Sequence, residues 1–307
     1  MARVAITGAS GFLGAALVPA LAARGHRVLR LVRRAPVPGE AHWDPMRSEL
    51  DPHVLEGVNA VVHLAGESLA AGRWTRARKH RILDSRVRGT RLLAETLARM
   101  SPRPAVLVSM SAVGIYGTRG DELLDETSAP GDDFLATVCI EWERAADPAA
   151  DAGMRVVHPR LGPVLALRGG ALEKMLPAFR LGVAGPLGGG RQWMSWIALD
   201  DALAALTAAV ESNTLAGPVN VVAPNPVTNA EFTRTLAHLL HRPALLPVPA
   251  IALRLAFGKL ADAALLASQR VRPAALERAG FGFAHPELGE ALQAAFTAGS
   301  ATAIATA

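Results

Sequence analysis

The 307-residue sequence predicts an α/β protein: a doubly wound parallel sheet with helices on both faces and a smaller, mostly helical carboxy-terminal lobe. Three observations predict it. Short apolar, strand-like runs alternate with helical periodicities through the amino-terminal half. A glycine-rich turn, Gly8 to Gly14, joins the first such run to the first helix. After Gly162 the alternation gives way to glycine-rich loops and helices. Strand–helix alternation puts a helix on every crossover, which makes the strands parallel and covers both sheet faces.

The elements follow in order. Arg3–Thr7 reads as a buried strand, and Gly11–Arg24 as a helix carrying Leu13, Leu17 and Leu21 at helical spacing. Arg27–Val32 is a second strand, ending in basic residues and a Pro-Gly turn. Asn59–Ala65 is another strand. Thr75–Met100 is a long amphipathic helix with Ile82, Leu83, Val87, Leu92, Leu93 and Leu97 on its apolar side. Ala105–Ser109 (strand), Asp133–Asp147 (helix) and Arg155–Leu161 (strand) continue the rhythm. Beyond Gly162 the pattern predicts helices at Ala171–Arg180, Asp200–Ser212 and Asn229–Leu240, the last capped by Thr228, with a strand at Val219–Val222. From Pro247 the chain reads as helical to about Ala295, and the small residues after Phe296 lack periodicity.

Composition narrows the class. Half of the residues are apolar and 19% are charged, as in ordinary globular enzymes. The single cysteine, Cys139, excludes an internal disulfide and fits a reducing, cytoplasmic setting. Glycines, Thr7 and Ser10 interrupt the apolar run near the amino terminus, so it is not read as a signal peptide, and no uncharged apolar stretch is long enough to span a membrane. The net charge of +5 is carried almost wholly by arginines. The cluster Arg73, Arg76, Arg78, Lys79 and Arg81 reads as a solvated helix face, not as a nucleic-acid surface, because no aromatic residues are interleaved with it. The histidines show no metal-ligand spacing, so no metal is expected.

The glycine turn Thr7-Gly8-Ala9-Ser10-Gly11-Phe12-Leu13-Gly14 lies where a dinucleotide-binding loop belongs. Gly8 permits a tight turn, Gly11 lets backbone approach a pyrophosphate, and Gly14 lets the helix pack on the sheet. The helix amino terminus offers unpaired N–H groups to the phosphates. At the end of the second strand a carboxylate usually takes the ribose hydroxyls of NAD, but here Arg33 and Arg34 stand in its place. Two guanidiniums suit a 2′-phosphate by charge and by forked hydrogen bonds, which selects NADP(H), although an arginine stacking on adenine is compatible with NAD(H) too.

This loop, with His63-Leu64-Ala65-Gly66 and Ser109-Met110-Ser111-Ala112-Val113-Gly114-Ile115-Tyr116-Gly117, resembles the extended short-chain dehydrogenase/reductases. Trp43-Asp44-Pro45, Ala65-Gly66-Glu67-Ser68, Arg73-Trp74-Thr75, Asp84-Ser85-Arg86-Val87, Phe134 to Cys139 with Trp142-Glu143, and Gly189 to Ile197 narrow the likeness to their atypical group, the epimerase family proteins. Ser268-Gln269-Arg270-Val271 through Phe281 and His285-Pro286 resemble the domain of unknown function that closes that family. The resemblance implies a Rossmann-type fold. Its boundaries would be an NAD(P)-binding domain over 1–222 with an insertion around 165–196, a helical lobe over 223–297, and a disordered tail over 298–307. It adds Leu64, Ala65, Gly66 and Ser109 to the cofactor contacts and implies a cleft over the strand ends. It also implies a homodimer through the helices at Thr75–Met100 and Asp133–Asp147, with neither membrane nor nucleic acid as partner.

The resemblance does not carry a reaction with it. Extended reductases use an Asn-Ser-Tyr-Lys tetrad, in which Tyr exchanges the proton and Lys lowers its pKa. Ser111 matches the Ser, but Arg86 replaces the Asn, and Leu135 and Cys139 replace the Tyr and Lys. Three substitutes are candidates. Tyr116 is a proton donor or a structural residue; Cys139 is a nucleophile or inert packing; Glu67 is an acid–base group or a cap or salt-bridge partner. Arg191 and Trp193 read as substrate contacts or as loop-bracing core, and Arg160 as a crossing-segment residue. Two functions remain open at this level: an oxidoreductase or epimerase acting on a small or nucleotide-linked substrate, slightly favoured, and an NADP(H)-binding sensor without hydride chemistry.

Overall fold

The computed structural model describes residues 1–305. Its chain divides into two compact units whose segments interleave. The first comprises Met1–Ala112, Thr137–Arg160 and Leu203–Val219; the second comprises Val113–Ala136, Leu161–Ala202 and the chain from Asn220 on. The sequence suggested one cut near residue 222, because composition is read linearly and cannot show that a segment returns to an earlier layer.

In the first unit, β1 (Arg3–Thr7), β2 (Arg27–Val32), β3 (Glu40–Asp44), β4 (Glu49–Leu50), β5 (Ala60–His63), β6 (Val106–Ser109) and β7 (Ser111–Ala112) join a nine-stranded sheet. Its order is Gly217–Val221, Arg155–Leu161, β6, β5, β1, β2, β3, β4, with β7 paired to Arg155–Leu161. β1 pairs in parallel with β2 on one side and β5 on the other. Strand order therefore reverses at β1, and the loops after β1 and β5 flank that switch point. The central strands are apolar throughout, with Val4, Ala5, Ile6, Val61 and Val62 fully buried, as covering on both faces requires.

Helices α1 (Phe12–Ala23), α2 (Arg76–Arg99), α3 (Phe134–Arg144) and α4 (Asp147–Asp151) belong wholly or in part to this unit. α1 buries Leu17 and Leu21, and α2 buries Ile82, Leu93 and Leu97, each burial stabilising by roughly 1.5–3 kcal/mol. Thr75 caps α2 by accepting from the Arg78 N–H at 3.2 Å. The edge strands β3 and β4 were not foreseen. The helix expected over Asp133–Asp147 ends at Arg144 and restarts at Asp147, where Pro148 fits a first turn but not an interior.

The second unit has its own core of Leu172, Leu176, Phe179, Trp196, Phe232 and Leu292. Thr228 caps the helix Asn229–Leu240 as expected, accepting from Glu231 N–H. The stretch from Pro247 is not continuously helical. Arg270–Val271 forms a strand parallel to Leu123–Leu124, and Gly258 and Gly280 adopt positive φ of 60° and 71°. Strand pairing across the sequence is a tertiary event that local periodicity does not carry. The last helix runs Leu288–Ala305, through most of the tail expected to be disordered, because alanine has high helix propensity even without an apolar stripe; residues 306–307 lie outside the described residues. Among the described residues no helix is long and apolar enough to cross a membrane.

Candidate functional site

A cavity of about 580 Å³ opens in the first unit between the loops after β1 and β5 and the end of β2. Gly8, Ala9, Ser10 and Gly11 form its floor, and Leu64, Ala65, Gly66 and Glu67 one wall. Arg33 and Arg34 stand at the β2 end. Its size falls within the range of small-ligand and cofactor sites.

The glycines are required by close approach. Gly8 has φ +68°, and a Cβ there would lie 2.8 Å from Ala65 N. A Cβ on Gly14 would lie 2.2 Å from Gly8 O, so only glycine lets α1 start against this turn. Gly11 begins α1 with no side-chain cap and no acidic residue in the first turn. The amide groups of that turn, Phe12 and Leu13 included, are thereby left to an anion. Thr7 lies beneath the cavity, fully buried, and its Oγ1 sits 2.6 Å from His63 Nδ1 while accepting from the N–H of Leu64 and of Ala65. One hydroxyl thus ties the end of β1 to the loop after β5. Burial pushes His63 down to about pKa 3, with Arg86 contributing, so the ring is neutral and structural.

At the β2 end the two arginines differ. Arg34 donates to Glu40 Oε1 at 2.7 Å and to Ala35 O. Arg30 approaches the same carboxylate oxygen at 3.3 Å, and the Arg34 hydrogen bond, the largest influence, holds Glu40 below the usual carboxylate range. Arg33 is exposed and has no hydrogen-bond or ion-pair partner among the described residues. Glu40 was not singled out from sequence. Its signal was faint: a carboxylate following the Pro-Gly turn, on a strand too near the sheet edge to be conspicuous.

The residues at the tetrad positions, Arg86, Ser111, Leu135 and Cys139, do not line the cavity. The Ser111 hydroxyl donates to Glu143 Oε1 at 2.6 Å, and Arg160 grips Glu143 through both carboxylate oxygens at 2.9 Å. Glu143 and Arg160 are the partners that sequence reasoning did not assign to Ser111. Cys139 is 3% exposed. Burial, then Glu143, push its thiol up to about 12, outweighing the Ala112 N–H, Arg86 and Ser111, which favour the thiolate. Burial and a raised pKa are what the packing alternative for this thiol requires. Leu135 and Cys139 stand one turn apart in α3. Glu67 lines the cavity, half-exposed, 3.5 Å from the Arg78 guanidinium, with its N–H bonded to Ser85 Oγ. It is a salt-bridge partner, and it alone of the four catalytic candidates faces the cavity. Ser109, fully buried in β6, does not line it.

Within the second unit, Tyr116 has no exposed surface, and its hydroxyl donates to Asn220 Oδ1 at 2.7 Å. Burial and the Asn220 bond are the contacts that the structural alternative for Tyr116 requires. Trp193 is likewise engaged, its Nε1–H donating to Asp121 and its ring lying 4.4 Å from the Arg270 guanidinium. Arg191 is exposed, without a polar partner among the described residues.

Comparison with known proteins follows the same lines. Residues 4–223 match the family described as NAD dependent epimerase/dehydratase. The chain belongs to that family. Residues 248–295 match a domain of unknown function, DUF1731. An epimerase family protein of Mycobacterium bovis is 48% identical over 297 residues, covering 96% of this chain and 98% of the relative. The human epimerase family protein SDR39U1 is 39% identical over 294 residues, covering 95% and 98%. A crystal structure of human SDR39U1 with NADPH superposes with a TM-score of 0.87 at 38% identity, covering 94% of this chain and 97% of that one. A Corynebacterium glutamicum structure described as a nucleoside-diphosphate sugar epimerase gives a TM-score of 0.80 at 40% identity, covering 95% of this chain but 57% of that one. Family membership and the short-chain dehydrogenase/reductase fold are therefore as the sequence motifs implied.

Proposed function

We propose that this protein is an NADP(H)-binding member of the family that lacks ordinary Tyr–Lys hydride chemistry and works as a cofactor-dependent sensor or regulator. The observation that carries the cofactor is the cradle itself. Gly8 and Gly14 occupy positions that a Cβ would fill, the α1 amino terminus is uncapped beside them, and Arg33 lines the cavity with no partner among the described residues. The human relative crystallised with NADPH supports the same ligand. In this reading the first-turn amides of α1 hold the pyrophosphate and Arg33 takes the 2′-phosphate. Arg34, tied to Glu40, lies against the adenine end.

The chemistry follows from the protons. When bound, a nicotinamide supplies hydride transfer, and a partner group must then supply or accept a proton. Ser111 gives its only proton to Glu143, Cys139 is a neutral buried thiol, Tyr116 is committed to Asn220, and Leu135 carries none. A second reading, an oxidoreductase or epimerase on a small or nucleotide-linked substrate, is favoured by one observation: Glu67 lines the cavity.

The experiment has two arms. Affinities for NADPH and NADH are compared in wild type and Arg33→Ala. We expect wild type to prefer NADPH by tenfold or more and the variant to lose most of that preference; an unchanged ratio removes Arg33 from the 2′-phosphate. NADPH-loaded protein is then scanned at 340 nm against carbonyl and nucleotide-sugar compounds. No oxidation supports the sensor, whereas turnover abolished in Glu67→Gln establishes the enzyme.

A further inference from the structure

Arg86 is a buried cation with no ion-pair partner among the described residues, although the Glu67 carboxylate favours its charge. It is 9% exposed, and its Nη1 donates to the carbonyls of Glu67 at 3.0 Å and Ile82 at 3.1 Å. The guanidinium lies over Trp142, 4.9 Å from the ring centroid. Its central carbon comes within 3.2 Å of where a Cβ on Gly66 would be, so the charge sits directly behind the Gly66 wall of the cavity. Arginine stays protonated even when buried. The neighbouring acids are taken: Glu67 pairs with Arg78, and Glu143 is held through both oxygens by Arg160. Cys139 is neutral. Three guanidiniums therefore answer two carboxylates, and one positive charge is left over.

The topology says which part of the ligand would feel that charge. Strand order reverses at β1. A dinucleotide lying across such a switch point puts its adenine half on the β2 side, where Arg33 stands, and its nicotinamide half on the β5 and β6 side, where Gly66 and Arg86 stand. The oxidised nicotinamide ring carries a positive charge and the reduced ring none; the two cofactors are otherwise nearly alike. A fixed cation on that side acts on their difference.

We propose that Arg86 makes this site selective for reduced cofactor, so that occupancy reports the NADPH to NADP⁺ ratio rather than the total pool. The proposal rests on the cofactor reading above and deepens its sensor form. A differential interaction of about 1.4 kcal/mol with the ring charge corresponds to roughly a tenfold preference. Arg33 acts on the 2′-phosphate common to both forms, so the two arginines have separable effects.

The test is titration of the purified full chain with NADPH and with NADP⁺, followed by tryptophan fluorescence or calorimetry at fixed ionic strength. Wild type is expected to bind NADPH about tenfold more tightly. Arg86→Gln brings the ratio towards one, and Arg86→Lys keeps most of it by keeping the charge. Arg33→Ala weakens both forms together and leaves the ratio intact. The reduction potential of the bound couple gives an independent readout, rising by about 30 mV for each factor of ten in the ratio. Equal binding of the two forms by wild type, or an unchanged ratio in Arg86→Gln, overturns the Arg86 inference while leaving the cofactor reading standing. Binding of neither nucleotide overturns both. If Arg86→Gln does not fold, the wild-type ratio and potential still decide the matter.

Discussion

The Ser111 hydroxyl and the Glu143 carboxylate are 2.6 Å apart, and the hydroxyl is the donor. This bond turns the one retained member of a catalytic tetrad inward. Glu143 is held by Arg160 as well, so serine, carboxylate and guanidinium form a buried charged brace under β7. Truncating either end of the ion pair would strand the other charge. We expect Glu143→Ala to cost about 3–5 kcal/mol in urea denaturation, and Ser111→Ala only about 1–2 kcal/mol, since the pair survives it. Equal costs would mean that the serine bond, not the ion pair, holds this region.

The glycine turn is graded by sterics. Gly14→Ala places a methyl 2.2 Å from Gly8 O, whereas Gly11→Ala places one at 3.2 Å from the same atom. Gly14→Ala should lower the melting temperature, by the equivalent of roughly 1–3 kcal/mol, and abolish nucleotide binding. Gly11→Ala should retain the fold. A Gly14→Ala protein as stable as wild type would show that α1 can shift along β1.

His63 predicts a pH dependence. Its folded pKa, about 3, lies below the ordinary value of 6.5, so the unfolded chain binds the extra proton between those limits. Its contribution is complete above about pH 6.5 and is lost as pH falls towards 3, with a slope of up to about 1.4 kcal/mol per pH unit. Denaturation midpoints between pH 7 and pH 4 should fall less steeply in His63→Asn than in wild type. Parallel curves would show that other groups carry the acid sensitivity.

Cys139 should be inert. With 3% exposure and a thiol pushed up to about 12, it presents no thiolate at pH 8. A chromogenic disulfide reagent is expected to label it in urea and not in the native protein. Rapid native labelling would reopen it as a nucleophile.

The sequence by itself determined the alternating architecture, the glycine cradle, the family and the loss of Tyr and Lys. Each of these depends on local periodicity or on residue types at fixed spacing, which the chain carries in one dimension. It also found both arginines at the β2 end, but not that Arg34 is tied to Glu40 while Arg33 has no partner among the described residues. Only the tertiary structure decided that, because Glu40 meets Arg34 through β2–β3 pairing. The same holds for the two hydroxyl candidates. Ser111 meets Glu143 across 32 residues, and Tyr116 meets Asn220 across 104. Whether a hydroxyl serves a substrate or braces a core depends on which partner packing delivers to it, and a candidate's residue type leaves that open.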